Sequence, residues 1–159
     1  MQTSTQITFR SFQPGDEEDF IALNEQWIAK YFALEEEDIQ ILRHPQKHIL
    51  DPGGRIYFAL IDEKVVGCCA LIVQGLGSYQ VAKMAVNESY RNQGIGKAML
   101  AYVIDEAKAI GAYRLTLETN SVLQNAIHVY ASLGFRHIDP SRIEPSPFKR
   151  ANVFMERYL

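Results

Sequence analysis

The reading turns on Val86-Asn87-Glu88-Ser89-Tyr90-Arg91-Asn92-Gln93-Gly94-Ile95-Gly96-Lys97-Ala98. A strand-like run, about Tyr79 to Val86, leads into this stretch. Gly94 to Ile110 leads out of it as a long helix, with Ile95, Met99, Tyr102, Val103, Ala107 and Ile110 on one face. Gly111 stands where a left-handed helix cap belongs. The first N–H groups of a helix have no intrahelical acceptor and lie at the positive end of its dipole. Glycine at 94 and 96 removes the Cβ atoms that would keep an anion away from that backbone. A phosphate or pyrophosphate fits such a turn.

Spacing decides among the phosphate motifs. A P-loop would need Gly at 91 and Ser or Thr at 98, where Arg91 and Ala98 stand. A dinucleotide fingerprint would need a third Gly at 99, where Met99 stands. What remains is Arg91-x-x-Gly94-x-Gly96.

Outward from the turn, Ile7 to Phe12 alternates apolar and polar residues, as a half-buried strand does. Pro14-Gly15 breaks it, and a helix with Phe20, Leu23, Trp27 and Tyr31 at helical spacing follows. A short helix over Glu35 to Leu42 stops before His44-Pro45. Strands Arg55–Ile61 and Val65–Val73 form a hairpin through Asp62-Glu63-Lys64, and a turn at Gly75-Leu76-Gly77-Ser78 precedes the strand that enters the Gly-rich stretch. After the long helix come a strand over Tyr113 to Glu118 and a helix carrying Ala126, Ile127, Tyr130 and Leu133, with Asn120 or Ser121 as its cap. Strands Phe135–Ile138 and Asn152–Tyr158 close the chain around a loop marked by Pro140, Pro145 and Pro147. This order predicts one mixed α/β domain over residues 1–159.

Composition narrows the function classes. A chain of 159 residues, 47% hydrophobic and 22% charged, is sized and composed for a packed core. Sixteen basic and nineteen acidic residues give a net charge of −3, and Lys149-Arg150 is the one short basic pair. That argues against nucleic acid as a partner. Cys68 and Cys69 are adjacent, so they neither pair nor space a metal knuckle, and they read as small buried hydrophobes. Met1 to Gln6 lacks the basic and apolar blocks of a signal peptide, and no apolar run approaches the ~20 residues that span a bilayer. The expectation is a cytoplasmic chain with no membrane or nucleic-acid partner.

Two further segments lie beside the Arg91-x-x-Gly94-x-Gly96 turn: Leu117-Glu118-Thr119-Asn120 with Asn125-Ala126, and Tyr130-Ala131-Ser132-Leu133-Gly134-Phe135. Together they resemble the acyl-coenzyme A loop and the second signature of the GNAT superfamily of N-acetyltransferases, over about residues 55–139. The resemblance implies a mixed, mostly antiparallel sheet of six to seven strands flanked by about four helices. It implies transfer of an acetyl group from acetyl-CoA to a primary amine by direct attack, the acceptor being a small molecule or amino-acid-like. A peptide or protein amine is a further option, and a non-catalytic acyl-CoA-binding sensor or partner module on the same fold is the rival. A homodimer is compatible with either.

By the same resemblance, backbone N–H groups of Gln93, Gly94, Gly96 and Lys97 hold the pyrophosphate, with Asn92 and Ile95 in the same turn and Arg91 as a charged contact or loop brace. Met84, Ala85 and Val86 present backbone to pantetheine, the Val86 N–H serving as oxyanion donor, and Asn120 and Asn125 flank the arm. Tyr130 takes the position of the acid that protonates the leaving thiolate. The amine must also lose a proton, since an alkylamine is neutral in only about one molecule in 2,500 at pH 7. Glu118 is the candidate base, its plain reading being a cap for the next helix. Family members often carry a carboxylate on the fourth strand; this chain has Gln80 and Lys83 there, which leaves proton removal to Glu118 or to water.

The acidic run Glu35-Glu36-Glu37-Asp38 suits a helix N-terminus or the attraction of a cationic amine. Trp27, Tyr31 and Phe32 are candidate pocket walls, and Lys149 with Arg150 a candidate carboxylate contact. His44 and His48 read as separated by Pro45 and unable to share a metal; no metal is expected.

Overall fold

The computed structural model describes residues 6–159; most of the amino-terminal stretch read above for targeting signals, Met1 to Thr5, lies outside them. Seven strands, β1 (Ile7–Ser11), β2 (Arg55–Ile61), β3 (Lys64–Gly75), β4 (Ser78–Val86), β5 (Arg114–Thr119), β6 (Arg136–His137) and β7 (Val153–Tyr158), form one sheet in the order β1-β2-β3-β4-β5-β7-β6. Every pairing is antiparallel except β4 with β5. Four α-helices flank it: α1 (Glu17–Tyr31), α2 (Glu36–Arg43), α3 (Ile95–Ala109) and α4 (Gln124–Ser132). Among the described residues, no helix is long and apolar enough to cross a membrane.

Both faces of the central strands are covered, which is why β2 reads as an almost unbroken apolar run. Tyr57, Ala59 and Ile61 pack with Cys69, Leu71, Met99 and Val103 beneath α3. Ile56, Phe58 and Leu60 face the other way, into a core with Phe20, Leu23, Leu42 and Cys68 beneath α1 and α2. The adjacent cysteines therefore serve one core each, both fully buried and unpaired.

The turns follow their local chemistry. Asp62 and Glu63 both adopt positive φ (49° and 65°), making a two-residue turn that pairs Ile61 with Lys64. Gly111, at φ +86°, closes α3: its N–H donates to Lys108 C=O, and the Ala112 N–H donates to Ala107 C=O.

Two expectations need correction. The helix α4 starts at Gln124 after Leu123, so neither Asn120 nor Ser121 caps it. Instead the Asn120 side chain accepts from the Val122 N–H and donates to the Arg150 C=O, an Asx turn tied to a distant loop. Pro45 also does not separate His44 from His48. With Pro45 in the first turn, the His48 N–H still donates to His44 C=O at 3.0 Å, and the two rings stand 6.4 Å apart at the start of a wide helical turn, Gln46–Leu50. Among the described residues, no group of three or more His, Cys, Asp or Glu stands close enough to hold a metal ion.

Candidate active site

The site is built where β4 and β5 part. Their parallel pairing holds at Ser78/Arg114, Tyr79/Leu115 and Gln80/Thr116 and goes no further. Beyond that point β5 stays in register with β7 through Glu118/Phe154 and Thr119/Val153. Strand β4 bends instead: Cys68 pairs with Ala85 and Ala70 with Ala82, so Lys83 and Met84 together face Cys69. This is a β-bulge, and Lys83 sits in it at φ +52°. A left-handed conformation costs a lysine about 1–2 kcal/mol.

Along the open edge of β4, the Asn87 N–H donates to Val66 C=O at 2.7 Å. Successive amides of a strand point to opposite sides, so the Val86 N–H is turned away from β3, toward the gap. Ala85 is buried and paired with Cys68, and Met84 lines the cavity in the gap.

At the mouth of the gap is the Gly-rich turn. Asn92 and Gly94 both have positive φ (63° and 76°), which orients consecutive N–H groups around a concave surface. The first bond inside α3 runs from the Ala98 N–H to Gly94 C=O, leaving the N–H groups of Ile95, Gly96 and Lys97 without an intrahelical partner. Gln93, Gly94 and Lys97 are exposed, whereas the Ile95 side chain is buried in the core. A Cβ at Gly94 would point into open space, and one at Gly96 would meet only Val86 at 3.9 Å. Both Nη atoms of Arg91 are buried, and neither has a hydrogen-bond partner among the described residues. Buried N–H donors left without an acceptor are expensive, so this turn has room for a hydrogen-bond acceptor beside Arg91.

The cavity in the gap is lined by Met84 and Lys83 of β4, Leu117 and Glu118 of β5, Tyr130 of α4 and Trp27 of α1, with Phe32, Asn120, Phe148 and Arg150 completing the wall. Tyr130 is half-buried and packs edge-on against Phe135 at 6.3 Å. Burial, and to a lesser degree the neighbouring Cys69, holds its phenol well above the usual tyrosine range, so it stays protonated at neutral pH. Glu118 does not cap a helix; it accepts a 2.6 Å hydrogen bond from Ser146 Oγ, which in turn accepts from the Phe148 N–H. Asn125 stands exposed on α4, outside the cavity lining. Of the aromatic candidates, Trp27 and Phe32 line the cavity, while Tyr31 is exposed and packs on Trp27 at 5.9 Å.

The acidic run divides, and the helix N-terminus role read for it is what half of it fills. Glu36 and Glu37 face solvent, whereas Glu35 and Asp38 form the capping box of α2. Asp38, with no exposed surface, accepts from Lys83 Nζ (2.6 Å) and from both Nη atoms of Arg150 (2.6 Å each). Glu35 accepts from Arg150 and from the Lys149 N–H. Burial alone would raise the Asp38 carboxyl, but hydrogen bonds from Arg150 and Lys83 outweigh it and hold it at about 2. Burial draws the Lys83 ammonium below its usual range against the opposing pull of Asp38. The Phe148 ring lies against both cations, 4.5 Å from Lys83 and 4.6 Å from Arg150. Of the basic pair, Arg150 reaches the cavity and Lys149 points outward. Ser146, Phe148 and the role of Lys83 were not anticipated; the only sign was Lys83 occupying a position expected to be acidic.

The acetyltransferase (GNAT) family model matches residues 16–135, most of the chain. The chain belongs to this family. It is 33% identical over 120 residues to the IAA acetyltransferase of Azospirillum brasilense, covering 70% of this chain and 76% of that one. A GNAT-family acetyltransferase structure from Staphylococcus aureus Mu50 superposes with a TM-score of 0.85 at 24% identity, covering 96% and 99% of the two chains. A Bacillus subtilis acetyltransferase solved in complex with CoA superposes with a TM-score of 0.74 at 17% identity, covering 97% and 99%. The seven-stranded sheet with a single parallel junction at β4 and β5 is thus the family's fold, and acyl transfer is the family's chemistry.

Proposed function

We propose that this chain transfers the acetyl group of acetyl-CoA to the primary amine of a small molecule. The observation that carries the proposal is the parting of β4 from β5, with a protonated phenol in the gap and a glycine-rich anion cradle at its mouth. The unpartnered Arg91 and the open Cβ positions of Gly94 and Gly96 fit a diphosphate. The CoA complex of the Bacillus subtilis protein of the same fold supports that assignment.

Acetyl-CoA, when bound, supplies an activated thioester carbonyl. The N–H groups of Gln93, Gly94, Gly96 and Lys97 hold the diphosphate, with Arg91 neutralising it from below. Backbone of Met84 to Val86 lines the path of the arm, and the outward Val86 N–H donates to the oxygen on which charge develops. Tyr130 donates the hydrogen bond of its O–H to the departing sulfur as the general acid; burial raises the phenol and so keeps the donor protonated. Glu118, reached from the same cavity, accepts the proton of the incoming amine directly or through water.

Lys83, standing where the family often places a carboxylate, favours a second reading in which the fold binds acyl-CoA without turnover. Release of free CoA thiol from acetyl-CoA with a panel of amines separates the two. Thiol release that depends on the amine establishes transfer. Calorimetric binding of acetyl-CoA with no amine-dependent thiol leaves only the binding reading, and no binding at all refutes both.

A further inference from the structure

Glu118 of β5, Lys83 of β4 and Arg150 of the loop before β7 all line the cavity, and that loop is tied to β5 through Asn120 and to Glu118 through Ser146. The hydrogen-bonded partners of the two cations, Asp38 and Glu35, are absent from the cavity lining. The charges that an occupant meets are therefore one carboxylate, Glu118, and two cations.

Donor arithmetic shows that this surface is not saturated. An ammonium has three N–H donors and a guanidinium five. Among the described residues, Lys83 Nζ makes one hydrogen bond, to Asp38. Arg150 bonds Asp38 and Glu35 through Nη1, bonds Asp38 through Nη2, and makes no bond through Nε. Both side chains thus keep N–H groups in reserve. Neither is free to swing away, because Asp38 anchors both and the Phe148 ring lies against both. The left-handed backbone at Lys83 serves the same end, since the bulge turns that side chain into the gap.

We propose that Lys83 and Arg150 form a subsite for an anionic group of the acceptor, so that the acceptor is a primary amine that also carries a carboxylate. This rests on the acetyl-transfer reading of the same cavity. The amine approaches the Glu118 side and the carboxylate takes the reserved N–H groups of Lys83 and Arg150. The apolar body of the acceptor lies against Trp27, Phe32, Ile41 and Ile72. A plain amine leaves the reserved N–H groups of Lys83 and Arg150 unpaired, so the subsite selects as well as binds.

Matched pairs test this on the full chain. Leucine, methionine, phenylalanine and glutamate, each beside its α-carboxamide, are titrated by calorimetry into CoA-saturated protein. The same compounds are offered with acetyl-CoA in the thiol-release assay. At least one acid should bind tenfold or more tightly than its amide, and the preference should shrink below threefold in Lys83→Met. Arg150→Lys, which keeps the charge but loses the fork, provides a second variant if the first does not fold, and should reduce the preference to an intermediate value. Acids and amides that bind equally, or that both fail to bind, overturn the subsite. So does a carboxylate-free amine acetylated as fast as the acids, an outcome that leaves acetyl transfer standing. Preferred binding of the acids with no thiol released upholds the subsite and removes the transfer reading instead.

Discussion

Asp38→Asn is the most informative single substitution, because the amide keeps the shape of the carboxylate while removing its charge and one of its two acceptor oxygens. In the native protein Asp38 has no exposed surface and offsets Lys83 and Arg150, whose side chains are 5% and 17% exposed. Removing it leaves Lys83 without its hydrogen-bonded counter-charge and Arg150 with only Glu35 at 3.3 Å. Breaking one side of a buried ion pair costs about 3–5 kcal/mol. For a chain of this length that lowers the melting temperature by roughly 6–20 °C. The penalty is also pH-dependent. The Asp38 carboxyl lies at about 2 against 3.8 for an unperturbed aspartate, so its charge stabilises the fold fully above about pH 4. As pH falls through that window the wild type loses about 2 kcal/mol, while the variant has no such contribution to lose. Glu156 is also held at about 2, chiefly by Arg142 and further by Arg114 against the cost of burial. It titrates alike in both proteins and cancels in the difference. Urea unfolding followed by circular dichroism at pH 7 and at steps down to pH 2.5 measures that difference. A penalty below about 1 kcal/mol at pH 7, or one that stays constant into acid, refutes the account of Asp38 as the anchor of both cations.

Three further outcomes are expected. Tyr130→Phe should lower kcat about a hundredfold or more while leaving the KM for acetyl-CoA within about twofold, as removal of a general acid does; steady-state kinetics at saturating amine reads both. Gly94→Val should weaken CoA binding at least about tenfold by calorimetry. Its stability cost should be only about 1–2 kcal/mol, because its Cβ meets nothing within 4 Å and the strain is confined to the positive φ. Arg91→Met should leave the ligand-free protein as stable as wild type or more so, since it removes a buried cation with no partner among the described residues; it should weaken CoA binding and flatten its salt dependence, checked by titrations at two ionic strengths.

What was legible came from local patterns. The strand–turn–helix around Gly94 and the Gly111 cap are encoded over a few residues each and appear as read, as does the hairpin through Asp62-Glu63-Lys64, except that Lys64 already belongs to its second strand. The readings that failed were local inferences overruled by distant partners. Asn120 looked like a helix cap because asparagine caps helices, but its amide is claimed by Arg150 C=O. Glu118 looked like a cap for the same reason, and Ser146 holds it instead. His44 and His48 looked separated because proline disrupts a helix interior, but Pro45 stands in the first turn, where it is tolerated, and the four-residue bond from His48 N–H to His44 C=O remains.

From the residues in order, the chain could be assigned its family and its glycine-rich strand–turn–helix, because periodicity and glycine placement act on the backbone within a turn or two. Which charges face an acceptor is a different kind of information. Asp38 lies 45 residues from Lys83 and 112 from Arg150, and only the packing of α2 and the last loop against the bulge in β4 brings the three together. That meeting converts an apparently acidic segment into the hidden support of a cationic wall, because a buried carboxylate is satisfied by whatever donors the fold delivers to it and not by its neighbours in the chain.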